Sequence, residues 1–92
     1  MRKVQYPKSF SKKALRLVKK NPVLKEPLNK VFNILERDVF DPSLKTHALS
    51  GKLNGLYSCY LNNEIRVIFK ITDDSVSLLD IGTHDEVYKT SL

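Results

Sequence analysis

Apolar residues recur along this chain with two different periods, helical at first and alternating later. Phe10, Ala14, Leu17 and Val18 fall at i, i+4, i+7 and i+8, a single stripe, while Lys12, Lys13, Arg16, Lys19 and Lys20 occupy the rest of that surface. Ser9 or Ser11 is placed to cap this helix, and Asn21-Pro22 breaks it. Leu24, Leu28, Val31, Phe32, Leu35 and Val39 resume helical spacing, so a second helix is expected from residues 22–24 to about Asp38, with Pro27 tolerable only in its first turn. From residue 57 the period changes to two. Segments 57–61 and Ile65–Ile71 flank a polar Asn62-Asn63-Glu64 turn and read as a β-hairpin, and a third segment, 76–81, follows Asp73-Asp74 and ends at Gly82. A shorter alternation over residues 2–6, ended by Pro7, predicts an N-terminal strand.

The order of elements predicts one α+β domain over residues 1–92: an N-terminal strand, a two-helix hairpin, then three antiparallel strands, forming one mainly antiparallel sheet. The hairpin register follows from which pairing keeps one face apolar. With a three-residue loop, Leu61 opposes Ile65, Cys59 opposes Val67 and Tyr57 opposes Phe69, and all six make a core face. A one-residue slip would carry every side chain across the sheet. The other face then holds Leu56, Ser58 and Tyr60 beside Arg66, Ile68 and Lys70, and is expected to be open, basic and partly aromatic.

Composition narrows the class. The chain has 92 residues, 41% of them apolar and 28% charged, as ordinary globular domains do. Its apolar runs fall far short of a membrane span of about 20 residues, and no apolar signal core follows Met1-Arg2-Lys3. With one cysteine, Cys59, there is no intramolecular disulfide, so the cytoplasm is the expected location and no membrane the expected partner. A net charge of +6 points to a polyanion or an acidic protein as partner. A solvated lysine-rich surface accounts for the same excess.

Candidate chemistry concentrates between His47 and Tyr88. Two histidines and one cysteine make no zinc spacing, no phosphate-binding or dinucleotide glycine pattern occurs, and no cofactor is expected. Cys59 falls on the core face and reads as a packed side chain. Isolated surface histidines are usually passive, but these have suitable company. Cleaving an RNA phosphodiester by its own 2′-hydroxyl needs a base, an acid for the leaving 5′-oxygen, and cations for the charged phosphorane. His47 and His84 can serve either proton role. Arg66 and Lys70, with Lys45 and Lys52 near them in sequence, supply cations, and Tyr60 or Tyr88 can stack on a splayed base.

Three segments together carry a family resemblance: His47-Ala48-Leu49-Ser50-Gly51 followed by Gly55, then Ile65-Arg66-Val67-Ile68-Phe69-Lys70-Ile71, and Ile81-Gly82-Thr83-His84-Asp85-Glu86-Val87-Tyr88. In order and spacing the chain resembles the RelE/ParE toxin superfamily over nearly its whole length, most closely the YafQ-like mRNA interferases of type II toxin–antitoxin systems. The resemblance implies a ribosome-dependent endoribonuclease that needs no metal, cuts mRNA in the ribosomal A site, and is held inactive by a cognate acidic antitoxin. It places functional groups at His47, His84, Glu64 and Tyr88. His84 is then the general acid, His47 or Glu64 the base, Arg66 the transition-state cation and Tyr88 a substrate-orienting ring. Lys45, Lys52, Tyr60 and Lys70 are the expected RNA contacts.

The chain departs from the pattern at several positions. Tyr60 stands for a further histidine, Ile65 for a tryptophan, and Asp80 and Ser58 for arginines. Two other readings therefore stand beside the nuclease: a ParE-type toxin that poisons gyrase and needs no catalytic histidines, and an inactive module that only binds RNA or an antitoxin.

Overall fold

The computed structural model describes residues 1–90, and side chains as far as Tyr88. The last two residues of the expected 1–92 domain lie outside the described residues. The chain runs through β1 (Lys3–Gln5), α1 (Lys8–Lys20), α2 (Lys25–Arg37), β2 (His47–Ala48), β3 (Tyr57–Tyr60), β4 (Ile65–Ile71), β5 (Ser75–Thr83) and α3 (His84–Thr90). The strands form one sheet in the order β1-β5-β4-β3-β2, antiparallel except for the parallel pair β1 and β5. This is the expected α+β arrangement with two additions, the short edge strand β2 and the helix α3.

Both long helices form where the apolar stripes lie. In α1, Phe10 and Ala14 are buried, with Leu17 and Val18 packed beside them; in α2, Leu28, Val31, Ile34 and Leu35 are buried. The expected serine cap is not used. Pro7 stands at the N-cap with extended backbone and no side-chain bond, so Ser9 and Ser11 fall inside the helix. A proline has no N–H to leave unsatisfied and accepts through its carbonyl, which takes a bond from the Ser11 N–H at 3.2 Å. Pro22 opens a 3₁₀ turn that ends at Leu24, and Pro27 lies in the first turn of α2, where a missing donor costs no helical bond.

The hairpin has the register that the apolar pattern requires. Tyr57 pairs with Phe69, Ser58 with Ile68, Cys59 with Val67 and Tyr60 with Arg66. The Leu61 N–H donates to the Ile65 carbonyl at 2.9 Å, and the Asn62 Oδ1 accepts from the N–H groups of Glu64 and Ile65. This side-chain clasp closes the turn without calling on glycine. The β4–β5 ladder shifts by one residue between Ile68 and Phe69, leaving Leu79 without a pairing partner. That bulge rescues the alternation of β5: Val76, Leu78 and Ile81 are all fully buried although the last two are three residues apart.

α1 and α2 cover the Cys59–Val67–Phe69 face, where the main core lies. The opposite face differs from the expectation that Leu56, Ser58, Tyr60, Arg66, Ile68 and Lys70 form one open surface. Ser58 and Ile68 are 0% and 1% exposed, and only Lys70 of the six is exposed. For Ile68 on β4 the reason is α3, which folds back against β4 and β5. A side chain at Gly82 would meet Glu86 Cβ at 3.3 Å and Val87 Cγ1 at 3.5 Å, and Val87 is completely buried. Gly82 pairs with Arg66, so α3 crosses the very face that the strand pattern alone leaves bare. On the β5 side, Lys13 of α1 bonds Asp80 at 2.7 Å and ties helix to sheet.

The Ser58 hydroxyl is buried without a hydrogen-bond partner among the described residues. An unmet buried polar group of this kind costs about 1–3 kcal/mol. Ser58→Ala is therefore expected to be at least as stable as the parent, by up to about 1 kcal/mol in urea unfolding. A clear loss of stability would mean that the hydroxyl is bonded in solution.

Candidate functional site

Strand pairing arranges the candidate residues in two rows across the α3 face. One row runs Tyr60, Arg66, Gly82 and the next runs His47, Ser58, Ile68, Asp80, each residue paired with its neighbour on the adjacent strand. The rows arise because same-face neighbours along a strand are two residues apart. Lys45, two residues before His47, adopts a left-handed backbone with φ 52° at the end of the 3₁₀ turn Pro42–Leu44. Its carbonyl lies 3.2 Å from His47 Nδ1, which leaves Nε2 as the outward nitrogen of that ring.

Tyr60 is the meeting point. The Arg66 guanidinium carbon lies over its ring, 3.6 Å from the centroid, and Lys45 Nζ is 5.4 Å from the same centroid. The His47 ring approaches edgewise, with centroids 6.5 Å apart. Arg66 Nη1 also donates to the Asn62 and Asn63 carbonyls of the hairpin turn, both at 3.1 Å. Lys45, His47, Tyr60 and Arg66 thus form one cluster. Glu64 is in the same turn with its side chain in solvent.

A second cluster belongs to α3. His84 is its first residue and is exposed, with its Nδ1 3.5 Å from Asp85 and its ring edge-on to Tyr88 at 4.3 Å. Thr83 just before it pairs with Ile65, so His84 lies beyond the Arg66 row, past the end of β5. His47 lies in the Asp80 row, three strand spacings (roughly 14 Å) from β5, and His84 begins α3 four residues past Asp80, with Tyr60 and Arg66 on the strands between. Two expected RNA contacts lie away from this centre. Lys70 is four residues along β4 from Arg66, roughly 13 Å, and Lys52 is on the exposed 3₁₀ turn Gly51–Leu53.

Two residues absent from the sequence expectations position His84. Thr83 Oγ1 accepts from the Glu86 N–H at 3.2 Å, and Glu86 Oε1 accepts from the Thr83 N–H at 2.9 Å. This reciprocal capping box starts α3 and has a readable signature, threonine followed three residues later by glutamate. The Thr83 backbone N–H and then its hydroxyl hold the Glu86 carboxyl below its ordinary value of 4.5. Cys59 is fully buried, and desolvation pushes its thiol up to about 12, so it acts as packing.

Similarity to solved structures defines the class of protein. YafQ from E. coli strain BL21(DE3) superposes with a TM-score of 0.79 at 21% identity, over 96% of this chain and 99% of that one. A copper-bound mutant toxin from Helicobacter pylori gives 0.78 at 29% identity, over 95% and 99%. A YoeB/ParE toxin from Agrobacterium tumefaciens gives 0.78 at 17% identity, over 89% and 98%. The fold is that of the RelE-like toxins. No curated protein matches the chain by sequence. The family described as bacterial toxin of type II toxin-antitoxin system, YafQ, matches residues 2–89, and the chain belongs to it.

The capping box makes a pH-dependent prediction. Because the Glu86 pKa is lowered in the folded chain, its contribution to anchoring α3 is present above about pH 4.5 and lost as pH falls through the folded value. Glu86→Ala should loosen α3 at neutral pH in the same way. Hydrogen exchange at the Thr83 amide checks this, and equal protection in the variant and the parent would remove Glu86 as the anchor.

Proposed function

We propose that this toxin is a metal-independent endoribonuclease that cuts mRNA in the ribosomal A site, acting in the cytoplasm. The observation that carries the reading is the meeting of Lys45, His47, Tyr60 and Arg66 beside the strand end that bears His84 and Tyr88. The cations gather on one side of this face for phosphate, His47 stands with them, and His84 lies across the face beyond the end of β5. His47 or Glu64 removes the 2′-hydroxyl proton as that oxygen attacks phosphorus. The bond to the 5′-oxygen breaks, and His84 returns a proton to the leaving oxygen. A 2′,3′-cyclic phosphate and a free 5′-hydroxyl remain. Arg66 balances the extra charge of the phosphorane, where a fixed cation helps most.

The rest of the face suits binding. Tyr88 orients a base, Tyr60 and Lys45 line the path of the strand, and Lys52 and Lys70 extend the cationic track to neighbouring phosphates. Asp80 stands where relatives have an arginine and bonds Lys13, so the phosphate charge in this chain falls to Arg66 and the lysines.

The partner that silences the toxin is a cognate acidic antitoxin, as a +6 domain favours. E. coli YafQ is known in complex with DinJ. The assembly with such a partner should weaken as salt rises from 0.05 to 0.5 M, on the order of the screening that shortens the Debye length from about 14 to 4 Å. A salt-independent affinity would make the contact chiefly apolar.

Primer extension on mRNA after brief induction tests the activity. Wild type should produce in-frame cuts on translated message only, and His84→Ala should produce none while keeping its fold. Growth arrest without cuts would favour gyrase poisoning. Normal growth without cuts would leave a binding module.

A further inference from the structure

Tyr60 occupies the centre of the site but is poorly placed for proton transfer. Its hydroxyl has no hydrogen-bond partner among the described residues, whereas its ring face carries the Arg66 guanidinium at 3.6 Å. Arg66 itself is held twice. Nη1 donates to Asn62 O and Asn63 O at 3.1 Å and leans on Ile65 O at 3.4 Å, which fixes one corner of the planar group. The Tyr60 ring fixes its plane. The remaining edge, Nε and Nη2, has no partner among the described residues, and those two parallel N–H groups match the spacing of two phosphate oxygens.

We propose that Tyr60 is a positioning residue for the nuclease reaction: its ring face holds Arg66 as a fixed fork for the scissile phosphate, and its hydroxyl takes no part. The proposal rests on the nuclease reading above and assigns work within it. An arginine on a flexible stem spends rotamer freedom when it grips an anion, and a ring and two carbonyls that hold it beforehand remove that cost. Stacking also shields one face of the guanidinium from water, while Lys45, at 5.4 Å from the same ring, adds charge without competing for the face that Arg66 covers so closely. The position that takes a histidine in the YafQ-like pattern thus serves here to aim a cation.

The test compares Tyr60→Phe, Tyr60→Leu, Arg66→Ala and the double variant Tyr60→Leu/Arg66→Ala in ribosome-dependent cleavage across a pH range. Tyr60→Phe should retain activity within about threefold and keep the pH profile of the parent, because the ring face remains. Tyr60→Leu should lose roughly 10- to 100-fold, the scale of a misplaced reactive group. In the Arg66→Ala background the same change should cost nothing more, since a residue that acts through another has no effect once that one is gone. The Arg66 Nε–H resonance should move downfield in Tyr60→Leu as the ring current is lost, and stay put in Tyr60→Phe.

Loss of activity or of one pH limb in Tyr60→Phe would overturn the proposal by giving the hydroxyl a proton role. So would full activity in Tyr60→Leu, or an unchanged Nε–H resonance. If wild type itself does not cut, the nuclease reading fails separately. A short RNA with 2′-methoxy groups then decides the positioning role: binding by Tyr60→Leu as tight as by wild type overturns it, and selective weakening that vanishes in the Arg66→Ala background upholds it.

Discussion

The register of the β3–β4 hairpin is the constraint on which both core and site depend. Leu61 to Ile65 is the shortest loop that keeps Tyr57, Cys59 and Leu61 opposite Phe69, Val67 and Ile65, and the Asn62 side chain locks it by accepting two backbone N–H bonds. A slip by one residue would put Arg66 into the core and expose Val67, at a cost of several kcal/mol for an unpaired buried charge alone. The same register sets Tyr60 opposite Arg66 on the other face, so the stacked pair is a by-product of the packing that the core demands.

Two irregularities then shape the site. The bulge at Leu79 lets β5 return Ile81 to the core after Leu78, and so turns Asp80 and Gly82 toward the candidate face. Gly82 leaves room for Val87 and Glu86, which α3 lowers onto the strand. The Thr83–Glu86 box fixes where α3 begins, and His84 is its first helical residue. The position of one candidate acid thus rests on a missing Cβ and a cap.

The face is dry in the middle and cationic at its rim. Ser58 and Ile68 are buried, while Lys45, His47 and Arg66 surround Tyr60 on one side and His84 stands with Tyr88 on the other. Uncharged Ser58 and Ile68 fill the centre of the His47 row, and Asp80 at its end is drawn to Lys13.

Much of this was written in local pattern. The stripes of α1 and α2, the place where Pro27 is harmless, and the hairpin register all follow from periodicity, because burying one face of a helix or strand selects residues at fixed spacings. The final helix was legible too, in Thr83 and Glu86, although strand alternation up to Gly82 draws the eye away from it. His47, Glu64, Arg66, His84 and Tyr88 could be singled out as chemically apt by residue type and motif. The parallel pairing of β1 with β5 and the burial of Ile68 beneath a returning helix could not. Each joins segments far apart in the chain, and such contacts are chosen by the packing of whole surfaces, for which no short window of sequence carries a period.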